Sequence, residues 1–358
     1  GALFWLWAAA LIGMIVKYAE VALAIYYRRG SIGSGPMDYI THGLGRPHLA
    51  RVYGVLVTLS AFCMGNLVQV SSIADSFVRA VDACTVGPMQ SPAALRFALG
   101  LVLAAVTALL LSGGAGRVGT AAEAMVPLMS LLFIAASMAV VAVNHSRIAG
   151  VMSTVFIEAF RPGAITGGIC GVTTARCIQW GLRRSAFSNE AGLGTAAIAH
   201  AAADTDDPAA HGMWGIFEVF ADTIVICTCT ALAILCSGVN IPWGSVTGTE
   251  VYQSALASVF GARISAVFMA VTICLFAYTS VMGWAVYGSR CAEYISGRRG
   301  AALYGFLFPC VCLCGCVMST KGAWQIADLI NALMSLPNLA SLLMPAPVAG
   351  KISRKIDT

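Results

Sequence analysis

The feature that most constrains this chain is the recurrence, from residue 2 to residue 349, of apolar runs about as long as a bilayer is thick. An α-helix rises 1.5 Å per residue, so about 20 mainly apolar residues cross a hydrocarbon core of ~30 Å. Reading such runs between polar or Gly/Pro-rich breaks predicts nine spans: residues 2–27, 49–79, 94–112, 120–143, 163–184, 212–237, 264–290, 301–319 and 324–349. Pro337 is expected to kink or divide the last of them. Only 10% of the 358 residues are charged, against about 25% in an ordinary soluble domain. A soluble enzyme is thereby excluded, and the chain reads as an all-α polytopic membrane protein.

The net charge of +5 carries topology rather than affinity for nucleic acid. With Gly1 placed outside, thirteen Lys and Arg collect at the inner span ends, among them Arg28, Arg29, Arg46, Arg51, Arg183, Arg184, Arg298 and Arg299; six fall outside. This is the positive-inside pattern, and it puts Thr358 in the cytoplasm. The thirteen cysteines lie mostly within apolar runs, as in Cys310, Cys312, Cys314 and Cys316, where alternate spacing spreads the thiols around a helix. They read as reduced packing residues, with neither a disulfide framework nor a metal site. The chain opens at Gly1 inside an apolar pattern, with no initiator Met and no signal-peptide features. It reads as lacking its N-terminal segment.

Polar groups at bilayer depth are costly unless paired or facing water, so they carry the functional information. Gly65, Asn66, Gln69 and Ser72 share a face of the second span, either as interhelical hydrogen-bonding groups or as a stripe facing a ligand. The fifth span holds Gly163, Gly167, Gly168 and Gly171 within nine residues, which favours an interrupted helix because each Gly costs about 1 kcal/mol relative to Ala. Unwound backbone at that depth lines a cavity or is buried by protein, and discontinuous helices hold substrate and ions in secondary transporters; close packing through small residues is the alternative. In the seventh span Ser280 and Trp284 share a face, and the Thr279 and Ser280 hydroxyls either offer oxygen ligands to sodium or bond back to the preceding turn. Among the charges within spans, Glu20, Arg176 and Glu218 lie at similar depth and are expected to pair as structural ion pairs or an inner-gate latch.

The chain resembles the alanine or glycine:cation symporter family, the sodium:alanine symporters, over essentially its whole length. The segments that carry the resemblance are Gly1 to Trp7 and Lys17-Tyr18-Ala19-Glu20, Gly35-Pro36-Met37, Gly65-Asn66-Leu67-Val68-Gln69 with Ser72 to Asp75, Phe187-Ser188-Asn189-Glu190-Ala191-Gly192-Leu193-Gly194, Phe276 to Trp284, and Ile326-Ala327-Asp328-Leu329 with Pro337-Asn338-Leu339. The resemblance implies a five-plus-five inverted repeat of the LeuT type, with substrate and sodium at the broken first helices of the two repeats. The nine spans then match its second to tenth helices, in a single transporter domain over 1–358: residues 1–143 the remainder of the first repeat, 144–358 the second. It further implies an amino-acid pocket lined by Asn66, Gln69, Gly168, Ile169, Gly171, Ser280 and Trp284, with Thr279 and Ser280 holding sodium. The family usually has Phe where Ile169 stands, and Gly-Leu where Ser185-Ala186 stands.

These readings converge on a symporter in the cell membrane that couples sodium entry, with a proton as the alternative ion, to uptake of a small neutral amino acid such as alanine or glycine. Its partners are that amino acid, sodium and membrane lipid, with no nucleic acid, obligate protein partner, cofactor or metal beyond transported sodium. Another cation-coupled solute carrier of the same fold and an inactive truncated paralogue are the alternatives. A hydrolase built on Ser188 and His200 lacks a glycine-flanked nucleophile motif, and a channel lacks a repeated filter pattern. Because the first helix of the first repeat would precede Gly1, the 358 residues as given are expected not to support coupled transport.

Overall fold

The computed structural model describes residues 1–29, 33–85, 91–161, 170–241, 248–318 and 320–343. Among the described residues there is no strand. The helices are α1 (Ala2–Tyr26), α2 (Pro36–Asp38), α3 (Pro47–Phe62), α4 (Gln69–Cys84), α5 (Pro92–Ser112), α6 (Gly114–Val143), α7 (Ile148–Phe160), α8 (Cys170–Asn189), α9 (Thr195–His200), α10 (Pro208–Val219), α11 (Cys227–Ser237), α12 (Gly248–Phe260), α13 (Ala262–Val317) and α14 (Thr320–Leu343). Proline opens α3, α5 and α10 within their first turn, where its missing N–H costs nothing and its fixed φ suits the helix. At α10 the Asp207 carboxylate also caps, accepting from the backbone of Ala209 and Ala210.

Seven helical segments among the described residues are long and apolar enough to cross a membrane, so the chain is a multi-pass membrane protein. Two of them join shorter helices through π-helical turns: Cys63–Val68 links α3 to α4, and Phe220–Ile226 links α10 to α11. The 56 residues of α13 would reach about 84 Å if straight, nearly three bilayer cores. The helix bends instead at Gly297, whose φ of 64° and ψ of −159° are non-helical and suit a residue without a Cβ. Two antiparallel arms result, corresponding to the expected spans 264–290 and 301–319. The last span runs helical through Pro337 to Leu343, so proline does not divide it.

Large apolar side chains such as Leu11, Ile15, Leu109, Leu131, Phe306 and Leu343 point outward. In water such a surface would aggregate; here it is the face presented to lipid. The interior is built from small and aromatic residues of α1, α3, α4 and both arms of α13, among them Ala22, Ala61, Ala74, Trp284 and Phe308. A second cluster joins Phe133, Tyr252 and Met269 of α6, α12 and α13. The described cysteines are free, four of them buried as packing groups.

Candidate functional site

Thr279, Ser280, Gly283, Trp284 and Tyr287 recur at helical spacing on the first arm of α13 and form one wall of a cavity of about 510 Å³. Lys17 of α1, Ser188 and Asn189 at the end of α8, Glu190 beyond it, His200 of α9, Glu218 of α10 and Asp222 of the π-helical turn complete the polar lining. The Thr279 and Ser280 hydroxyls both donate to the Phe276 carbonyl, at 2.8 and 3.1 Å. This is the bond back to the preceding turn that stood as the alternative to ion ligation; it uses the hydroxyl hydrogens and leaves the oxygen lone pairs at the cavity wall.

Trp284 is 2% exposed and held from four directions. Its indole N–H donates to Glu190 Oε1 at 3.1 Å, and its carbonyl accepts from the Tyr304 hydroxyl at 3.2 Å. Its ring meets Tyr287 edge-on at 5.6 Å. The fourth support is Gly65 in the π-helical turn after α3, where a methyl group would collide with the Trp284 Cβ and ring.

Glu190 opens a non-helical loop from α8 to α9 and has a φ of 56°, a conformation uncommon outside glycine. Gly192 and Gly194 follow with φ of 90° and 78°; a methyl on Gly194 would stand 2.6 Å from the Tyr53 hydroxyl and 2.8 Å from Asn338 Oδ1. The backbone groups freed here are taken up by distant side chains, as buried backbone requires. Glu20 Oε1 accepts from the Gly192 N–H at 3.0 Å, and the Asn338 amide donates to Glu20 Oε1 at 2.6 Å and to the Gly192 carbonyl at 2.9 Å. The Tyr53 hydroxyl donates to the Leu193 carbonyl at 2.7 Å, Lys17 Nζ to the Asn189 carbonyl at 2.6 Å, and the Tyr39 hydroxyl to Asn338 Oδ1. The Ser188-Asn189-Glu190-Ala191-Gly192 segment is therefore a structural knot, with Asn189 and Gly192 buried and Ser188, Glu190 and Ala191 partly so.

The expected pairing of Arg176 with Glu218 or Glu20 is replaced by other partners. Arg176 is exposed on α8 and makes no ion pair among the described residues. Glu218 pairs with Lys17 at 3.8 Å and bonds His200 at 2.8 Å, while Glu20 is consumed by the loop. Facing decides this: α1 packs extensively on α8 and α10, and Lys17, one turn from Glu20, reaches α10 before any group on the outer side of α8 can. Thr279, Ser280, Trp284 and Glu218 come together at the cavity. Asn66 does not line it; it is fully buried and donates to the Phe308 carbonyl at 2.8 Å, the interhelical alternative. Gln69 also lies outside the lining, with its amide 3.4 Å from the Met64 carbonyl. Gly167, Gly168 and Ile169 lie outside the described residues; the rest of the stretch expected to be interrupted, from Cys170 to Thr173, is helical, with Gly171 in the first turn of α8.

The sequence gives no role at the site to Glu190, Tyr39, Tyr53 or Asn338, although Glu190 and Asn338 stand in segments that carry the resemblance, and it shows Asp222 only as a charge within a span. Asn338 was findable, as an amide deep in an apolar run. Ser188 donates to Asp222 at 2.6 Å, and the His200 ring nitrogens engage His211 and Glu218, so the two candidate hydrolase groups are committed elsewhere.

Apolar helices gathered around a hydroxyl- and charge-lined cavity suit a membrane carrier. The profile of the Sodium:alanine symporter family matches residues 1–357, and the chain belongs to that family. The sodium/alanine symporter AgcS of Methanococcus maripaludis is 38% identical over 356 residues, covering 96% of this chain and 74% of the relative. An uncharacterized transporter of Haemophilus influenzae is 35% identical over 349 residues, covering 96% and 74%. The probable sodium/glutamine symporter GlnT of Bacillus subtilis is 31% identical over 352 residues, covering 97% and 70%.

Proposed function

We propose that this protein couples sodium entry to uptake of a small neutral amino acid, alanine or glycine first, by alternating access across the cell membrane, with Gly1 outside and Thr358 in the cytoplasm. The observation that carries this reading is the wall formed by Thr279, Ser280, Gly283 and Trp284, which sets cation-type oxygens beside an aromatic surface. Ser280 and Trp284, with Gly171 in the first turn of α8 and the preceding Gly168 and Ile169 of the sequence, would receive the amino acid; Thr279 and Ser280 would contribute to the sodium shell. Free N–H groups at a helix N-terminus favour a carboxylate, and the glycine-rich approach to α8 suits that role. Nine spans in a LeuT-type five-plus-five arrangement, as the second to tenth helices, accommodate the bent α13 as two of them. Coupling follows if ion and amino acid stabilise the same conformational state.

Uptake of labelled alanine and glycine into proteoliposomes, with the protein expressed from its full reading frame, tests the reading. A sodium gradient should drive saturable accumulation, and Ser280→Ala should raise the half-saturating sodium concentration several-fold. Uptake indifferent to sodium, or unchanged sodium dependence in Ser280→Ala, would sink it. Glutamine in the competition series tests the size limit.

A further inference from the structure

Between α3 and the two arms of α13 runs a groove of about 230 Å³, lined by Val55, Leu59 and Phe62 on one side and Ile295, Leu303 and Leu307 on the other. Val55, Leu59, Leu303 and Leu307 are exposed, so within the membrane this channel is open to acyl chains. Its register is fixed by contacts. A methyl on Gly54 would touch Ile295 at 3.4 Å and one on Gly65 would meet Trp284, so α3 runs antiparallel to the first arm. Phe62 packs on Tyr304 at 5.1 Å and Asn66 bonds Phe308, so α3 runs parallel to the second arm.

The first arm ends at the Gly297 bend just past Ile295, and the second-arm register sets Arg298 and Arg299 level with Leu56 and Val57, about 8 Å at the helical rise from Arg51, so the three arginines lie toward the same end of the groove. All three are exposed, and among the described residues none of their guanidinium groups takes part in a hydrogen bond or ion pair. From Arg51 to Phe62 the groove is about 16 Å deep at the helical rise. Three uncommitted guanidinium groups, which suit a phosphate by their planar donor geometry, thus crown an apolar channel of acyl-chain dimensions at the bend of α13.

We infer that this groove binds an anionic phospholipid, its phosphate and headgroup on Arg51, Arg298 and Arg299 and one acyl chain along Val55, Leu59, Phe62, Leu303 and Leu307. The bound lipid would brace the bend at Gly297 against α3. Arginines near an anionic headgroup each add to binding, so the three together should favour an anionic over a zwitterionic lipid by at least about tenfold.

Native mass spectrometry of the full-length protein in detergent, titrated with phosphatidylglycerol and phosphatidylcholine of identical acyl chains, decides this. The unaltered protein should retain one phosphatidylglycerol with at least tenfold preference. Arg51→Gln/Arg298→Gln/Arg299→Gln should lose the preference, and Arg263→Gln, remote from the groove, should keep it. Leu59→Trp leaves the arginines intact and fills the channel, so it should weaken retention of both lipids; it serves as the deciding variant if the triple substitution fails to elute monodisperse. Equal retention of the two lipids, an undiminished preference in the triple variant, full retention by Leu59→Trp, or displacement of the lipid by millimolar inorganic phosphate would overturn the proposal.

Discussion

The indole N–H of Trp284 donates to Glu190 across 3.1 Å, linking the cavity wall on α13 to the loop between α8 and α9, 94 residues away in sequence. Through that loop Trp284 is tied to Lys17 and Glu20 of α1 and to Asn338 of α14. The tryptophan's position is therefore set by four elements at once.

Glu190→Gln keeps a carbonyl oxygen for the indole and should preserve most uptake. Glu190→Ala leaves a buried N–H without a partner, at a cost of about 1–3 kcal/mol, and should lower alanine uptake by an order of magnitude or more. Uptake of both variants, beside near-ultraviolet circular dichroism for tryptophan immobilisation, checks this; equal activity of the two would show that the bond does not hold Trp284.

Asn338→Ala removes the amide shared by Glu20 and the Gly192 carbonyl and leaves both buried acceptors short of a donor. The expected loss is about 2 kcal/mol or more, read as a lower unfolding midpoint in detergent. Tyr39→Phe, which gives up one bond to Asn338, should cost less. The reverse order would place the knot's centre elsewhere.

Lys17→Met should destabilise through loss of the Asn189 carbonyl bond at 2.6 Å more than through loss of Glu218. That ion pair is long, at 3.8 Å, and although the Lys17 side chain is 4% exposed the Glu218 side chain is 44% exposed, so distance and solvent on the Glu218 side weaken it. A double-mutant cycle with Glu218→Gln should return a coupling below about 1 kcal/mol, while Lys17→Met alone costs more than Glu218→Gln alone. A larger coupling would make the pair a true latch.

Gly65→Ala places a methyl against the Trp284 ring. Overpacking of this kind costs about 1–3 kcal/mol, and because the atom displaced is on the cavity wall, uptake should fall further than the unfolding midpoint suggests. Gly305→Ala, where a methyl meets open space, is the matched control and should keep both stability and uptake.

The sequence by itself determined that this is a multi-pass helical protein, because the length and apolarity of a span are local properties that the bilayer reads directly. It also determined the face carrying Thr279, Ser280 and Trp284, since helical periodicity fixes which side chains of one helix lie together. Tertiary structure decided which helices those faces meet. Depth alone made Arg176 as good a partner for Glu218 as Lys17, but α8 turns Arg176 outward and α1 turns Lys17 inward. The polar run from Ser188 to Gly192 looks like a solvated turn in one dimension; its backbone is instead packed inside the protein, because Glu20, Tyr53 and Asn338, brought in from three other helices, supply the hydrogen bonds that water would otherwise provide. Such satisfaction is a sum over contacts distant in sequence, and local patterning contains no record of it.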